Sequence, residues 1–242
     1  MTDVLIITGG SKGIGKAIAQ KYALENYAVI SISRSKAANV SFQQITADLS
    51  NTSEAIDAIN TVFSALNSET ISSITLVNNA GRLGEVNTLG HLDSEKIQDI
   101  IRLNTTTPLV LSNEFIRFTR NLNCKKQIIN ISSGAANNPY SGWSIYCASK
   151  AALEMMTKTI ATEQNELTNG VKSIAFKPGV VDTNMQIQIR ETPKSDFKNV
   201  QRFIDLKENS ELYSPEHVAN KIYQIDTQNR LENGDIIDIR KT

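Results

Sequence analysis

Tyr146 and Lys150 stand four residues apart in Tyr146-Cys147-Ala148-Ser149-Lys150, at the head of a helical period running from Ile145 to Glu166. On a helix that spacing puts a phenol and an ammonium on one face. A phenol with a pKa near ~10 exchanges protons poorly at neutral pH. A cation within about 4–6 Å favours the ionised form and makes the pair a candidate proton donor and acceptor. Such pairs arise by chance in many helices, so a third group is needed. Ser133 supplies it, thirteen residues before Tyr146 and just past the branched run Gln127-Ile128-Ile129-Asn130-Ile131. A hydroxyl there can hold a carbonyl oxygen against the tyrosine, because ligand crevices lie outside the carboxyl ends of parallel strands.

A second constellation suits phosphate. Thr8-Gly9-Gly10-Ser11-Lys12-Gly13-Ile14-Gly15 separates a short branched run, Val4 to Thr8, from a helical period that begins at Ile14. Glycines in that context let backbone N–H groups approach a pyrophosphate and let the helix pack on the strand. The spacing Gly9, Gly13, Gly15 is wider than the usual Gly-x-Gly-x-x-Gly. The next branched run, Ala28 to Ser33, ends in Ser33-Arg34-Ser35-Lys36. An acid at this point would bind a free adenosine ribose hydroxyl. Arg34 stands there instead, with Lys12 in the glycine loop, and two cations suit a ribose 2′-phosphate. The expected cofactor is NADP(H).

The elements that must carry these groups alternate along the chain. Branched runs at 4–8, 28–33, 43–47, 74–77, 127–131, 171–176 and 236–239 read as seven strands. Between them lie helical periods at Ile14–Leu24, Ser53–Leu66 with Ser53 as capping residue, one long stretch at about Ser94–Arg120, then Ile145–Glu166 and Pro215–Asp226. Strands apolar on both faces, each followed by a helix, predict an α/β fold: a doubly wound, parallel, seven-stranded sheet with helices on both faces. No repeat or composition break marks a second domain, so residues 1–242 read as one. The polar stretch 184–214 is long for a connection and reads as a substrate loop or lid.

Composition narrows the class. The 242 residues carry 25 basic and 25 acidic side chains, which gives no electrostatic reason to expect nucleic acid or an anionic membrane as partner. No apolar run reaches the ~18–20 residues of a membrane helix, and the opening residues do not read as a signal peptide. Cys124 and Cys147 make no disulfide framework, and no Cys/His cluster has metal-ligand spacing. A cytoplasmic protein without a metal is expected. His91 and His217 lack partners and read as structural, and Cys147 as a small hydrophobe.

Taken together, the glycine loop, Asn78-Asn79-Ala80-Gly81, Asn104, Ser133, Tyr146, Lys150 and Pro178-Gly179 resemble the short-chain dehydrogenase/reductase family in order and spacing over nearly the whole chain. The resemblance implies a Rossmann-type fold and a tetrad of Asn104, Ser133, Tyr146 and Lys150. In it the tyrosine protonates a carbonyl, the serine polarises that carbonyl, and the lysine binds the nicotinamide ribose and lowers the tyrosine pKa. The asparagine holds a water of the proton relay. It also implies cofactor contacts at Gly9, Ser11, Lys12, Gly13, Ile14, Gly15, Arg34, Asp48, Leu49, Asn78, Ala80, Tyr146, Lys150, Pro178, Gly179, Val181 and Thr183, and a homodimer or homotetramer formed through the two long helices.

Within the family, Gly142-Trp143-Ser144-Ile145-Tyr146 and the stretch from Pro178 to Met185 are similar to the sepiapterin reductase and benzil reductase group. That likeness implies reduction of a small ketone or diketone, with Asp238 at the position where sepiapterin reductases anchor the pterin; Trp143 and Met185 each flank a catalytic motif and read as substrate contacts on that ground. A 3-oxoacyl-carrier-protein reductase and a non-catalytic NADP-binding regulator are the alternatives. The substrate itself and the product stereochemistry are not legible.

Overall fold

The computed structural model describes residues 1–228 and 231–242. Seven strands form one wholly parallel sheet: β1 (Thr2–Thr8), β2 (Ala28–Ser33), β3 (Gln43–Thr46), β4 (Ile71–Asn78), β5 (Lys125–Ile131), β6 (Lys172–Lys177) and β7 (Ile236–Asp238). Their order is β3-β2-β1-β4-β5-β6-β7. The order reverses between β1 and β4, which opens a crevice at the carboxyl ends of those strands. The helices are α1 (Gly13–Leu24), α2 (Thr52–Ala65), α3 (Ser94–Ile101), α4 (Thr107–Thr119), α5 (Ser144–Asn165), α6 (Asn184–Glu191), α7 (Val200–Glu208) and α8 (Pro215–Thr227).

The branched strands bury both faces. On one side Val4, Ile6, Ile74, Leu76 and Ile128 pack against Ala55 and Ile59 of α2, Leu111 and Phe115 of α4, and Ile160 of α5. On the other, Leu5, Ile7, Ile129, Ile174 and Phe176 meet Ile18 and Tyr22 of α1 and Val218 and Ile222 of α8. These residues alternate along each strand, as the pleat requires. Below the sheet, the buried Asp226 carboxylate accepts from the Tyr22 hydroxyl at 2.9 Å and from Gln127 Nε2 at 2.5 Å.

Three expectations need correction. The cap of α2 is Asn51, whose Oδ1 accepts from Ser53 N and Glu54 N, so Ser53 lies inside the helix. The stretch 94–120 is not one regular helix: residues Arg102–Thr106 form a π-helical turn between α3 and α4. Pro108 has no N–H, so the ordinary helical bond to the carbonyl of Asn104 cannot form, and the wider turn accommodates the break. The segment 184–214 carries two helices, α6 and α7. Its few apolar residues are well used: Ile189, Phe197, Val200 and Phe203 are buried in a cluster with Trp143 and Tyr146.

Among the described residues, no helix is long and apolar enough to cross a membrane, and no group of three His, Cys, Asp or Glu could hold a metal.

Candidate active site

The first two turns of α5 carry Tyr146 and Lys150 to the end of β5. Ser133 follows that strand, extended and capping a short turn at Gly134–Ala136 through the Ala135 amide at 3.2 Å. Its hydroxyl lies near enough to the Tyr146 phenol to favour that group's ionised form. Lys150 Nζ donates to the Ile131 carbonyl at 2.7 Å and lies 5.8 Å from the centre of the Tyr146 ring. Both side chains are buried, and burial dominates their ionisation. It pushes the Tyr146 phenol above its ordinary value, with the Ser133 hydroxyl pulling partly back. It lowers Lys150 from 10.5 to about 8. The expectation that Lys150 sets the phenol's pKa is therefore not what this geometry gives. Desolvation outweighs it, and the phenol keeps its proton at neutral pH. That is the form needed to protonate a carbonyl oxygen.

Asn104 sits buried in the π-helical turn. Its amide clamps the loop after β4 from both sides: Oδ1 accepts from Arg82 N at 3.0 Å and Nδ2 donates to Arg82 O at 2.8 Å. Nδ2 also meets Ser149 Oγ at 3.2 Å, which ties that loop to α5. The four tetrad positions are thus brought to one neighbourhood by β5, α5 and the irregular turn.

A cavity of about 920 Å³ runs along the carboxyl ends of the strands. It is lined by Gly9, Ser11, Lys12, Gly13, Ile14, Gly15, Arg34, Asp48, Leu49, Ala80, Tyr146, Lys150, Pro178, Thr183 and Met185, all singled out from the sequence. Gly9 has φ +71°, and a Cβ there would sit 3.0 Å from the Ala80 backbone, so the loop can pass this close to β4 only as glycine. Asp48 is held below the usual carboxylate range by hydrogen bonds from Ser50, with Arg34 and Arg82 adding to the effect. The size, the glycine cradle and the cations at one end fit an extended dinucleotide, with the nicotinamide end at Tyr146.

Some expected residues, Ser133 and Asn104 of the tetrad among them, do not line this cavity. Asn78 is buried between strands, donating to Asn130 Oδ1 at 2.9 Å and Ser112 Oγ at 3.1 Å. Gly179 turns with φ +74° against the Tyr213 ring, and Val181 is buried where it pairs with Tyr213. Trp143 is 6% exposed and stacks on Phe197, with centroids 4.6 Å apart. It backs the Tyr146 ring edge-on and is a wall behind the site rather than a surface of the pocket. Asp238 also departs from expectation, because Arg240 takes its carboxylate through Nε at 2.8 Å and Nη2 at 2.5 Å. Met185 alone of the three proposed substrate contacts outside the tetrad reaches the cavity.

Sequence reasoning gave no role to Arg82, which lines the cavity, or to Asn79, whose Nδ2 donates to the carbonyls of Thr8 and Gly9 at 2.9 and 3.3 Å and fastens the glycine loop to β4. Their signal was position: both flank the Ala80-Gly81 pair at a strand end. It also passed over Glu154, four residues beyond Lys150 on the same helix face.

Comparison with known proteins agrees with this geometry. Residues 3–194 match the family model for short chain dehydrogenase. The chain is 40% identical to a benzil reductase ((S)-benzoin forming) from Bacillus cereus, over 97% of this chain and 98% of that one. It is 27% identical to sepiapterin reductase from Xenopus laevis, over 96% and 94%. The crystal structure of a short chain dehydrogenase/reductase from Saccharomyces cerevisiae superposes with a TM-score of 0.84 at 27% identity, covering 98% of this chain and 96% of that one. The chain belongs to the short-chain dehydrogenase family, near its benzil and sepiapterin reductases, and is a nicotinamide-dependent oxidoreductase acting on carbonyl or alcohol groups.

Proposed function

We propose that this enzyme is an NADPH-dependent carbonyl reductase acting on small ketones and 1,2-diketones of the benzil kind, with Tyr146 as general acid. The observation that carries the reading is the buried Tyr146, with half-buried Ser133 beside it, in a cavity that Arg34 and Lys12 also line. The 40% identity to a benzil reductase supports the substrate class.

When bound, the cofactor would supply hydride to the carbonyl carbon. Gly9 to Gly15, Asp48, Leu49 and Ala80 would hold its adenosine and pyrophosphate, and Thr183 and Pro178 its carboxamide end. Arg34 and Lys12 would pair with a 2′-phosphate. Ser133 offers its hydroxyl to the carbonyl oxygen, fixing it beside the phenol. Tyr146, held neutral by burial, gives its proton to that oxygen as charge develops there. Lys150 at neutral pH is mostly cationic even with its pKa near 8, which favours the phenolate left behind. Asn104, anchored through Arg82, holds the turn from which a water could return the proton. Met185 on α6 gives an apolar contact to the substrate, and α6, the first part of the stretch 184–214, acts as a lid that excludes water. Exposed Leu109 on α4 and Met155 on α5 suit burial between subunits of a homodimer or homotetramer.

Turnover of benzil should be compared with that of a 3-oxoacyl thioester, each with NADPH and with NADH, by loss of nicotinamide absorbance. The reading requires benzil with NADPH to be the preferred pair. Preference for the thioester would place the protein among fatty-acid reductases, and binding without consumption over a broad carbonyl panel would make it a regulator.

A further inference from the structure

Polar groups at the end of β5 meet α5 one after another. Asn130 Nδ2 donates to Thr157 Oγ1 at 2.8 Å, and the Ile131 carbonyl accepts from Lys150 Nζ at 2.7 Å. The Ser132 hydroxyl donates to Glu154 Oε1 at 2.7 Å, and Ser133, the next residue, sits beside Tyr146. Tyr146, Lys150 and Glu154 repeat every four residues, so one face of α5 grips the strand end through all three. Glu154 is the unexpected member, a carboxylate only 6% exposed. Its counter-charge is Lys177, at the end of β6, with Nζ 3.2 Å from Oε1. Lys177 also contacts Asn137, just beyond the short turn that Ser133 caps. A buried ion pair of this kind is weak evidence for stability, since apolar side chains of similar size often serve as well. Its location suggests another use.

We propose that Glu154, balanced by Lys177, is a positioning residue for Ser133. The proposal rests on the reading of Ser133 and Tyr146 as the carbonyl-binding pair. Ser132 is held on two sides: its N–H by the Phe176 carbonyl at 2.8 Å and its hydroxyl by Glu154. Those two bonds fix the residue from which the chain leaves the sheet, and Ser133 is the next residue. If the hydroxyl contact is lost, Ser132 can rotate, and the Ser133 oxygen moves away from the tyrosine. Misplacement of a reacting group by about 1 Å can lower turnover on the order of a hundredfold, so partial loosening should cost about tenfold.

The test is a double-mutant cycle of Glu154→Leu and Ser132→Ala, with Glu154→Gln as the conservative variant. Ser132→Ala leaves the ion pair intact and keeps the test usable if Glu154→Leu fails to fold. Each single change should lower kcat on a diketone about tenfold with NADPH Kd within about twofold, and the double should be no worse than the poorer single. Glu154→Gln, which retains an acceptor for Ser132, should recover to within about threefold of wild type. Amide exchange at Ala135 and Ala136, whose N–H groups cap onto Ser133, should quicken in Ser132→Ala. Unchanged kcat in Ser132→Ala, multiplicative losses in the double, or parallel loss of kcat and NADPH affinity would overturn the proposal. Exchange rates that stay at wild-type values in Ser132→Ala would overturn it without reference to turnover. A wild-type enzyme inactive on every ketone would instead refute the proposed reaction, and the exchange comparison would still decide the contact.

Discussion

Burial of Lys150 carries a cost to stability that can be measured through pH. Burial lowers its pKa from 10.5 to about 8, so between those values the unfolded chain binds more protons than the folded one, and stability rises with pH. Below pH 8 the folded protein must keep an ammonium in a dry site. At 1.36 kcal/mol per pKa unit, this penalty is about 3 kcal/mol at pH 7 and about 2 kcal/mol at pH 9. Lys150→Met removes the charge and keeps much of the volume, but it leaves the Ile131 carbonyl without the donor now 2.7 Å away, a loss of about 1–3 kcal/mol. The net gain at pH 7 is small, so the pH dependence of the difference is the cleaner observable. Relative to wild type, the variant's advantage should shrink by about 1 kcal/mol from pH 7 to pH 9. For a domain of this size that is about 2–4 °C in Tm. Thermal melts of both proteins without added nucleotide, in matched buffers, give the number, since groups common to the two cancel. A wild-type-to-variant Tm difference that stays constant across this range would refute the claim that Lys150 is desolvated.

Arg34→Asp should erase or reverse the preference for NADPH over NADH, because one charge-assisted hydrogen bond of about 1.5–3 kcal/mol corresponds to roughly tenfold to a hundredfold in affinity; equal use of both cofactors by the wild type would contradict the premise. Tyr22→Phe removes a donor from the buried Asp226 carboxylate, so denaturant unfolding should show a loss of about 1.5–3 kcal/mol with turnover unaffected. In the proposed lid, amide exchange in α6 should slow on NADPH binding and slow further with a ketone, while α7, anchored by the buried Phe203 and the neighbouring Phe197, should change little; exchange in α6 that is slow from the start and indifferent to both ligands would indicate a fixed wall.

The strands were legible because branched apolar runs bounded by glycine or polar residues have few other uses, and a parallel sheet follows from their alternation with helices, though the strand order does not. The glycine loop and the Tyr146–Lys150 pair were legible for a related reason: their spacing encodes a local geometry. What failed depended on long-range context. Apolar periodicity continues from Ser94 to Arg120 through the π-helical turn, and only Pro108 hints at the interruption. The helices of 184–214 were hidden because their stability comes from four or five residues that pack against Trp143, far away in sequence. Trp143 itself flanks the catalytic helix, which suggested the pocket, whereas stacking on Phe197 turns it inward. Asp238 and Arg240 are two apart at a strand end, and nothing in a pattern distinguishes a free carboxylate from one already paired. The direction of the Tyr146 shift needed burial, which spacing alone does not contain.

The central claim is that Tyr146 donates the proton in a carbonyl reduction, and Tyr146→Phe tests it most directly, because the ring and its packing remain while the hydroxyl is removed. NADPH binding, followed by nucleotide fluorescence, should stay within about twofold of wild type, whereas single-turnover reduction of benzil should fall on the order of 10² or more, the scale of lost general acid catalysis. Reduction within a few-fold of wild type, with the cofactor bound as tightly, would contradict the account.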